Sequence, residues 1–347
     1  MKSPAARWIC VLALLVFSSH APAQSKEALY QGDHAAMGTT YTIYLYAPDP
    51  TTAQSALEAA FDEIDRVDDL LSNYKSTSEI SRINREAAQH AVITDAETFA
   101  FLQAAMAYSR NTGGTFDITV GRLLHTWGFF QHQGAVPSAA AQHADASGVG
   151  WQHVHLDPAT RSVQFLHSNQ LELDPGGIGK GYAVDRVVAL LHDLHITRAL
   201  ISAGSSSLYM IGAPPGEDGW PVQIPDPTHP GVTLQTLHLH DVSLSTSACS
   251  EKHFVQNGHD YCHIFDPRTL VPVEGMLQTT IISPLAIDSD ALSTGLFVTT
   301  PEQSRTILDQ HYPGIAALIL SGDKASFTAT SIHWPEPIPS PKGPAKP

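Results

Sequence analysis

The clearest periodicity in the chain spans residues 52–71, where Leu57, Ala60, Phe61, Ile64, Val67 and Leu71 recur at helical spacing and predict an amphipathic helix. Residues 96–109 predict a second helix. Residues 185–195 predict a third, with Val187, Val188, Leu190 and Leu191 as its apolar positions. Strand patterns are interleaved with these. Residues 30–46 alternate around Met37-Gly38-Thr39-Thr40-Tyr41-Thr42-Ile43-Tyr44 and predict one strand. From residue 198 to 242 the apolar runs are short and broken by Gly and Pro, as in antiparallel strands. Asn257-Gly258 predicts a hairpin turn between Phe254-Val255 and the run from Tyr261 to Phe265. Helices and hairpins are mixed rather than strictly alternating, so the predicted class is α+β with antiparallel sheets, not a doubly wound parallel sheet.

The two ends differ from this body. Lys2 and Arg7 give a positive start, residues 8–17 an apolar stretch and Ala21-Pro22-Ala23 a small-residue cleavage pattern. Residues 1–23 are therefore expected to be a secretory signal peptide, and the mature protein periplasmic or secreted. The apolar stretch is about half the length that crosses a bilayer, which leaves an uncleaved anchor as the alternative. Residues 334–347 carry six prolines and are expected to form an extended or disordered tail. One domain is expected over residues 24–333.

Charge narrows the partners. The chain has a formal net charge of -15, and removal of Lys2 and Arg7 leaves 17 basic residues against 34 acidic ones. Nucleic acid is a poor partner for such a surface. An anionic small molecule would need a cation or backbone dipoles to offset the field. After cleavage only Cys249 and Cys262 remain; an oxidising compartment would let them pair, but their separation does not establish the geometry. Without a CxxC pair or regular Cys/His spacing, structural zinc is unsupported.

Three segments carry candidate chemistry. Asp290 and Thr294 stand four residues apart beside the apolar run Gly295-Leu296-Phe297-Val298, which suggests a helix start there. On a helix both oxygens share a face and could reach one hard cation such as magnesium. The plainer alternative is a helix cap at Asp290 with Thr294 bonded back to a carbonyl. Residues 173–185, Leu-Asp-Pro-Gly-Gly-Ile-Gly-Lys-Gly-Tyr-Ala-Val-Asp, form a glycine-rich strand-to-helix passage with Lys180 inside it. Its amides and lysine suit phosphate oxygens, yet it matches neither GK[ST] nor GxGxxG. His263, on a strand leading into the turn Asp266-Pro267-Arg268-Thr269, is either an acid/base group or a hydrogen-bonded turn residue.

Together with other fragments these segments resemble the ApbE-type FAD:protein FMN transferases. The resemblance runs from Met37-Gly38-Thr39 through Ser72-Asn73-Tyr74, Ser78-Glu79-Ile80-Ser81-Arg82-Ile83-Asn84 and Gly114-Thr115-Phe116-Asp117-Ile118-Thr119-Val120-Gly121. It continues through Trp127-Gly128-Phe129, the glycine-lysine passage, Ser245-Thr246-Ser247, the histidine turn and residues 290–294. It implies that Met37 and Tyr74 contact the flavin, and that Thr115, Phe116, Asp117, Asp174, Lys180 and the backbone near Phe265 hold FAD. It also implies a Mg2+ site at Asp290, Thr294 and the Gly177 carbonyl, and His263 as the group that assists deprotonation of an acceptor threonine. FMN would then pass from FAD to a threonine of a target protein, with AMP released. The resemblance leaves room for peripheral association with membrane redox proteins. FAD hydrolysis to FMN and AMP, and flavin storage without chemistry, are the alternatives. The chain departs from the family pattern at Ser205-Ser206 in place of Gly-Asp, at Leu270 in place of a turn glycine, and at Ala248-Cys249-Ser250 in place of Gly-x-Tyr.

Overall fold

The computed structural model describes residues 27–130, 134–167, 170–249, 253–323 and 326–338. The expected signal peptide and the tail beyond residue 338 lie outside the described residues. One sheet organises the molecule. Its eight strands, Ala28–Ala36, Thr39–Ala47, Ala199–Ala203, Ser207–Ile211, Val242–Ala248, Met276–Ser283, Ala316–Gly322 and Phe327–Ile332, lie side by side in chain order. Every neighbouring pair is antiparallel. The structure is thus the α+β mixture that the sequence pattern predicts.

Alternation along each strand sends side chains to two different cores. Tyr41, Ile43, Leu45, Ile201 and Ile211 point to the face covered by the helices Pro50–Leu71 and Gly179–Asp193. Met210, Leu244, Ile282, Leu318 and Leu320 point to the opposite face, where the hairpin of Trp220–Pro225 and Thr233–Leu239 covers them. A third helix, Ala286–Leu296, packs on the sheet with Leu292 and Leu296 fully buried. Among the described residues no helix is long and apolar enough to cross a membrane.

The predicted helices occur as Pro50–Leu71, Ala96–Asn111 and Gly179–Asp193. The last begins six residues earlier than apolar periodicity indicates, because glycines give no periodic signal. Four further expectations need correction. Residues 30–46 are a hairpin, not one strand: Met37 and Gly38 both take positive φ (51° and 71°), the geometry of a tight two-residue turn. Residues 290–294 lie inside the Ala286–Leu296 helix rather than at its start, so Asp290 is not its cap. His263 falls just beyond the strand His259–Cys262. The tail is not extended throughout, since the half-buried Trp334 donates from Nε1 to Gln235 Oε1 (3.0 Å) and packs with Ile338 on the second core.

Cys249 and Cys262 are joined in a disulfide with their Cα atoms 5.0 Å apart. The residues between them include the predicted hairpin, His253–Gln256 paired with His259–Cys262 around Asn257 and Gly258. Strand pairing brings Cys262 opposite His253, a closeness that sequence separation alone does not reveal. Two departures from the family pattern fall at left-handed positions. Ser205 (φ 62°) follows Gly204 (φ 61°) in the turn between two central strands, and Leu270 (φ 64°) packs on the aromatic cluster of Trp127, Phe129 and Phe265. For Leu270 that packing offsets a backbone cost of about 1–2 kcal/mol.

The cross-link closes a loop with a sequence separation of 13. Loops of this size are worth about 3 kcal/mol. Reductant should lower the thermal midpoint of the wild type by several degrees. It should leave a Cys249→Ser/Cys262→Ser variant, already lowered, where it is. A wild-type midpoint indifferent to reductant would show that the bond carries no stability.

Candidate active site

Asp185 starts the helix on which Asp290 sits. Its two carboxylate oxygens accept from the N–H groups of Ala286 (2.7 Å) and Ile287 (2.9 Å). One turn further, Asp290 is 4% exposed and faces the Gly179–Asp193 helix and the sheet together. Its Oδ2 accepts from the Gly181 N–H (2.9 Å), its Oδ1 from the Ser207 hydroxyl (3.0 Å), and Lys180 Nζ stands 3.6 Å from Oδ1. This approach requires glycine at 181, where a Cβ would collide with the Ala286 carbonyl and lie 2.7 Å from Asp290 Cβ.

The same helix meets the sheet through hydroxyls. Ser289 Oγ is 2.7 Å from both Ser243 Oγ and Ser245 Oγ, and Ser247 Oγ is 2.9 Å from Ser293 Oγ and 3.3 Å from Thr294 Oγ1. Alternate serines on the strand thus pair with one face of the helix and set its height. Thr294 also donates to the Asp290 carbonyl (3.4 Å), the bond back along the helix that the plainer reading anticipates. Gly177 lies against it: a Cβ there would stand 3.3 Å from Thr294 Oγ1.

Gly177, Asp290 and Thr294 therefore adjoin along one line of contacts, and they suit a magnesium ion. All three donors would be oxygen, and the lack of a Cβ at 177 leaves room for that backbone segment beside the Thr294 hydroxyl. Among the described residues no group of three His, Cys, Asp or Glu could hold a metal. A cation here would complete its shell from water and substrate oxygens, the usual habit of magnesium.

The glycine-lysine passage forms one wall. Asp174 is buried, accepting from the Gly176 N–H (2.7 Å) and from Asn73 Nδ2 (2.8 Å), which ties the passage to the segment carrying Tyr74. Lys180 Nζ lies between the Gly176 carbonyl (3.4 Å) and Asp290. Met37 reaches the same passage, with its Cε 3.2 Å from where a Cβ of Gly179 would be and its sulfur accepting from the Tyr41 hydroxyl (3.1 Å). Tyr74 is 55% exposed; desolvation of its covered side, and then the Asp174 carboxylate, push its phenol up to about 12.

The Thr115-Phe116-Asp117 segment is buried. Phe116 fills the space left by Gly177 and Gly295, a Cβ of the latter lying 2.9 Å from Phe116 Cβ. Asp117 spends its carboxylate within the protein. Oδ1 accepts from the Thr119 N–H and hydroxyl (2.9 and 2.8 Å) and Oδ2 from the Trp151 N–H (2.9 Å). Burial raises its pKa against those bonds. In this geometry Asp117 orders the loop that presents Thr115 and Phe116. Thr115 donates to the Thr112 carbonyl (3.2 Å) and borders a cavity of about 340 Å³ shared with Arg268 and Glu302.

Phe265 belongs to an aromatic cluster with Trp127 (5.6 Å) and Phe129 (5.9 Å), and the His263 ring lies edge-on to Phe129 at 6.4 Å. The disulfide immediately precedes His263 and begins two residues after Ser247, so it braces the histidine segment against the strand that touches Thr294. Ser207, Ser243 and Ser289 lie outside every motif of the sequence, and nothing in the spacing pairs Asp185 with residue 286. Alternation of Ser243, Ser245 and Ser247 was a visible signal, but it resembles a solvated strand face.

The structure thus gathers Gly177, Lys180, Asp290 and Thr294 where two helices meet the sheet, and ties Asp174 of the glycine-lysine passage to the segment carrying Tyr74. The model of the ApbE family matches residues 37–319. The chain is 29% identical to the FAD:protein FMN transferase of Treponema pallidum (strain Nichols), over 96% of both chains. It is 32% identical to a FAD:protein FMN transferase of Klebsiella pneumoniae (strain 342), over 79% of this chain and 83% of that one. The ApbE protein of Thermotoga maritima superposes with a TM-score of 0.78 at 30% identity, covering 85% of this chain and 96% of that one. The flavinyl transferase ApbE of Pseudomonas stutzeri superposes at 0.76 with 27% identity, covering 88% and 95%. The chain belongs to the ApbE family.

Burial raises the Asp185 pKa from 3.8 to about 6. The folded state therefore holds this proton more tightly than the unfolded chain. The contribution to stability is full below pH about 4 and is lost as pH rises through about 6. The difference in unfolding free energy between wild type and Asp185→Asn should fall across that window by as much as ~3 kcal/mol. A flat difference curve in denaturant titrations at several pH values would contradict it.

Proposed function

We propose that this chain transfers FMN from FAD to a protein acceptor, at the site built around Asp290. The observation that carries the reading is the adjacency of Gly177, Asp290 and Thr294, with Lys180 beside the same carboxylate, within a chain that covers 96% of one FAD:protein FMN transferase and 83% of another. A storage protein would have no use for oxygen ligands at the pyrophosphate.

Gly177, Asp290 and Thr294 would hold Mg2+, which when bound neutralises charge on the pyrophosphate. Lys180 adds a second positive charge on that side. Tyr74 and Met37 hold the flavin, while Thr115, Phe116 and Asp174 line and order the remainder of the FAD site. The acceptor is a threonine hydroxyl, whose proton passes to His263 as its oxygen bonds to the phosphorus on the riboflavin side. The bond from that phosphorus to the bridging oxygen breaks, AMP leaves with the bridging oxygen, and FMN remains on the acceptor as a phosphoester. We place this activity outside the cytoplasm, in keeping with the N-terminal pattern and with the Cys249–Cys262 bond.

Incubation with FAD and magnesium, with and without candidate acceptor proteins, tests the reading. Flavin fluorescence that stays on an acceptor through denaturing electrophoresis supports transfer. Release of FMN and AMP without an adduct would mean hydrolysis, and unchanged FAD would end the catalytic reading. Asp290→Asn, which keeps the size of the buried side chain, should lower turnover on the order of 10²- to 10³-fold while FAD affinity changes far less. Chelator should imitate the substitution and magnesium reverse the chelator. Equal losses of binding and turnover would point to a binding role alone.

A further inference from the structure

The Tyr74 ring owes its position to a residue outside every motif. Phe130 stacks on it, ring centroids 4.3 Å apart and planes 4° from parallel, and meets the His125 ring at 3.9 Å. His125 is 2.9 Å from Glu172 Oε1, two residues before the Asp174 that accepts from Asn73, Tyr74's neighbour. The contacts thus close a circuit from Tyr74 through Phe130, His125 and the Glu172–Asp174 segment back to Asn73.

Phe130 is itself held from its backbone. Its N–H donates to the Leu124 carbonyl (3.2 Å). The loop that carries it is closed at the neck by Gly134 N–H to Gly128 O (3.2 Å) and Ala135 N–H to Trp127 O (3.0 Å). Gly128 and Gly134 both take positive φ, 74° and 47°, a backbone region that glycine enters without strain. Next door, Phe129 is buried among Phe254, Phe265 and His263, which anchors the loop on its opposite side. One face of Tyr74 is therefore covered while the residue is still 55% exposed, which leaves surface on it for a ligand to meet.

We propose that Phe130 is a positioning residue for the flavin: it backs the Tyr74 ring so that the isoalloxazine of FAD stacks on Tyr74's other face. This rests on the assignment of Tyr74 to the flavin. An unbacked tyrosine would lose ring freedom when the flavin binds, and that ordering would weaken the complex. A ring already stacked on Phe130 and His125 has lost it beforehand. The AMP half of FAD makes no use of this stack.

The test compares the dissociation constants of FAD, from quenching of flavin fluorescence, and of ADP, from calorimetry, on the full chain with magnesium. Phe130→Ala and Phe130→Leu should weaken FAD by about two- to tenfold, the worth of one aromatic pair, and leave ADP unchanged. Phe130→Tyr should restore wild-type affinity, since it keeps the flat face that leucine lacks. FAD affinity that is unchanged or higher in Phe130→Ala would overturn the proposal, the second result because it would put Phe130 on the face the flavin needs. Equal losses for FAD and ADP would reduce Phe130 to a structural role and overturn it too. A Tyr74→Ala variant with wild-type FAD affinity would remove the flavin from Tyr74 and this proposal with it, while the fluorescence assay for transfer would stand unaffected.

Discussion

A single buried carboxylate governs how the helices sit on the sheet. Asp290, 4% exposed, accepts from a backbone N–H of one helix and a hydroxyl of a central strand. A carboxylate so far from water is costly unless its oxygens are satisfied and a counter-charge is near. Gly181, Ser207 and Lys180 meet those demands, and each is thereby fixed in kind. Gly181 admits no side chain, Ser207 must donate, and Lys180 must keep its ammonium on that side. The residue best suited to a cation is thus also the one that joins the structural elements of the site.

Hydroxyl contacts set the spacing that this arrangement needs. Ser289 and Ser293 approach the sheet where leucines would hold the helix further away, and each finds a serine across the interface. Phe116, seated where Gly177 and Gly295 lack side chains, closes the other flank. The candidate site is consequently assembled from short side chains at its base and aromatic rings at its walls. The bonds between hydroxyls restrict the base, and burial of Trp127, Phe129 and Phe265 holds the aromatic side.

Much of this was legible in the chain because it depends on local pattern. The long helix at Pro50–Leu71, the Asn257-Gly258 hairpin and the i, i+4 relation of Asp290 and Thr294 all follow from spacing. What spacing misses is supplied by distant partners. The helix holding Asp290 begins at Ala286 because Asp185, a hundred residues earlier, caps it; locally, Asp288, Ser289 and Asp290 look like solvent-facing cap residues. Met37 adopts positive φ in a turn that the alternation of residues 30–46 conceals. The three internal donors to Asp117, from Thr119 and Trp151, are likewise invisible to spacing. Phe130 is one aromatic among twelve phenylalanines, and nothing but the fold singles it out.

The strands follow one another across the sheet in chain order, yet the site draws on residues from Met37 to Thr294. Neighbouring strands can pair as soon as each emerges, so the sheet is able to grow progressively during synthesis. Asp290 follows six of the eight strands in the chain, and without it Gly181 N–H and Ser207 lack their acceptor. Ligand competence is therefore a property of the nearly finished polypeptide. A chain cut short before residue 290 would lack the carboxylate that joins helix and strand, together with Leu292, Leu296, Leu318 and Leu320 of the cores, so the candidate site depends on the integrity of the whole domain.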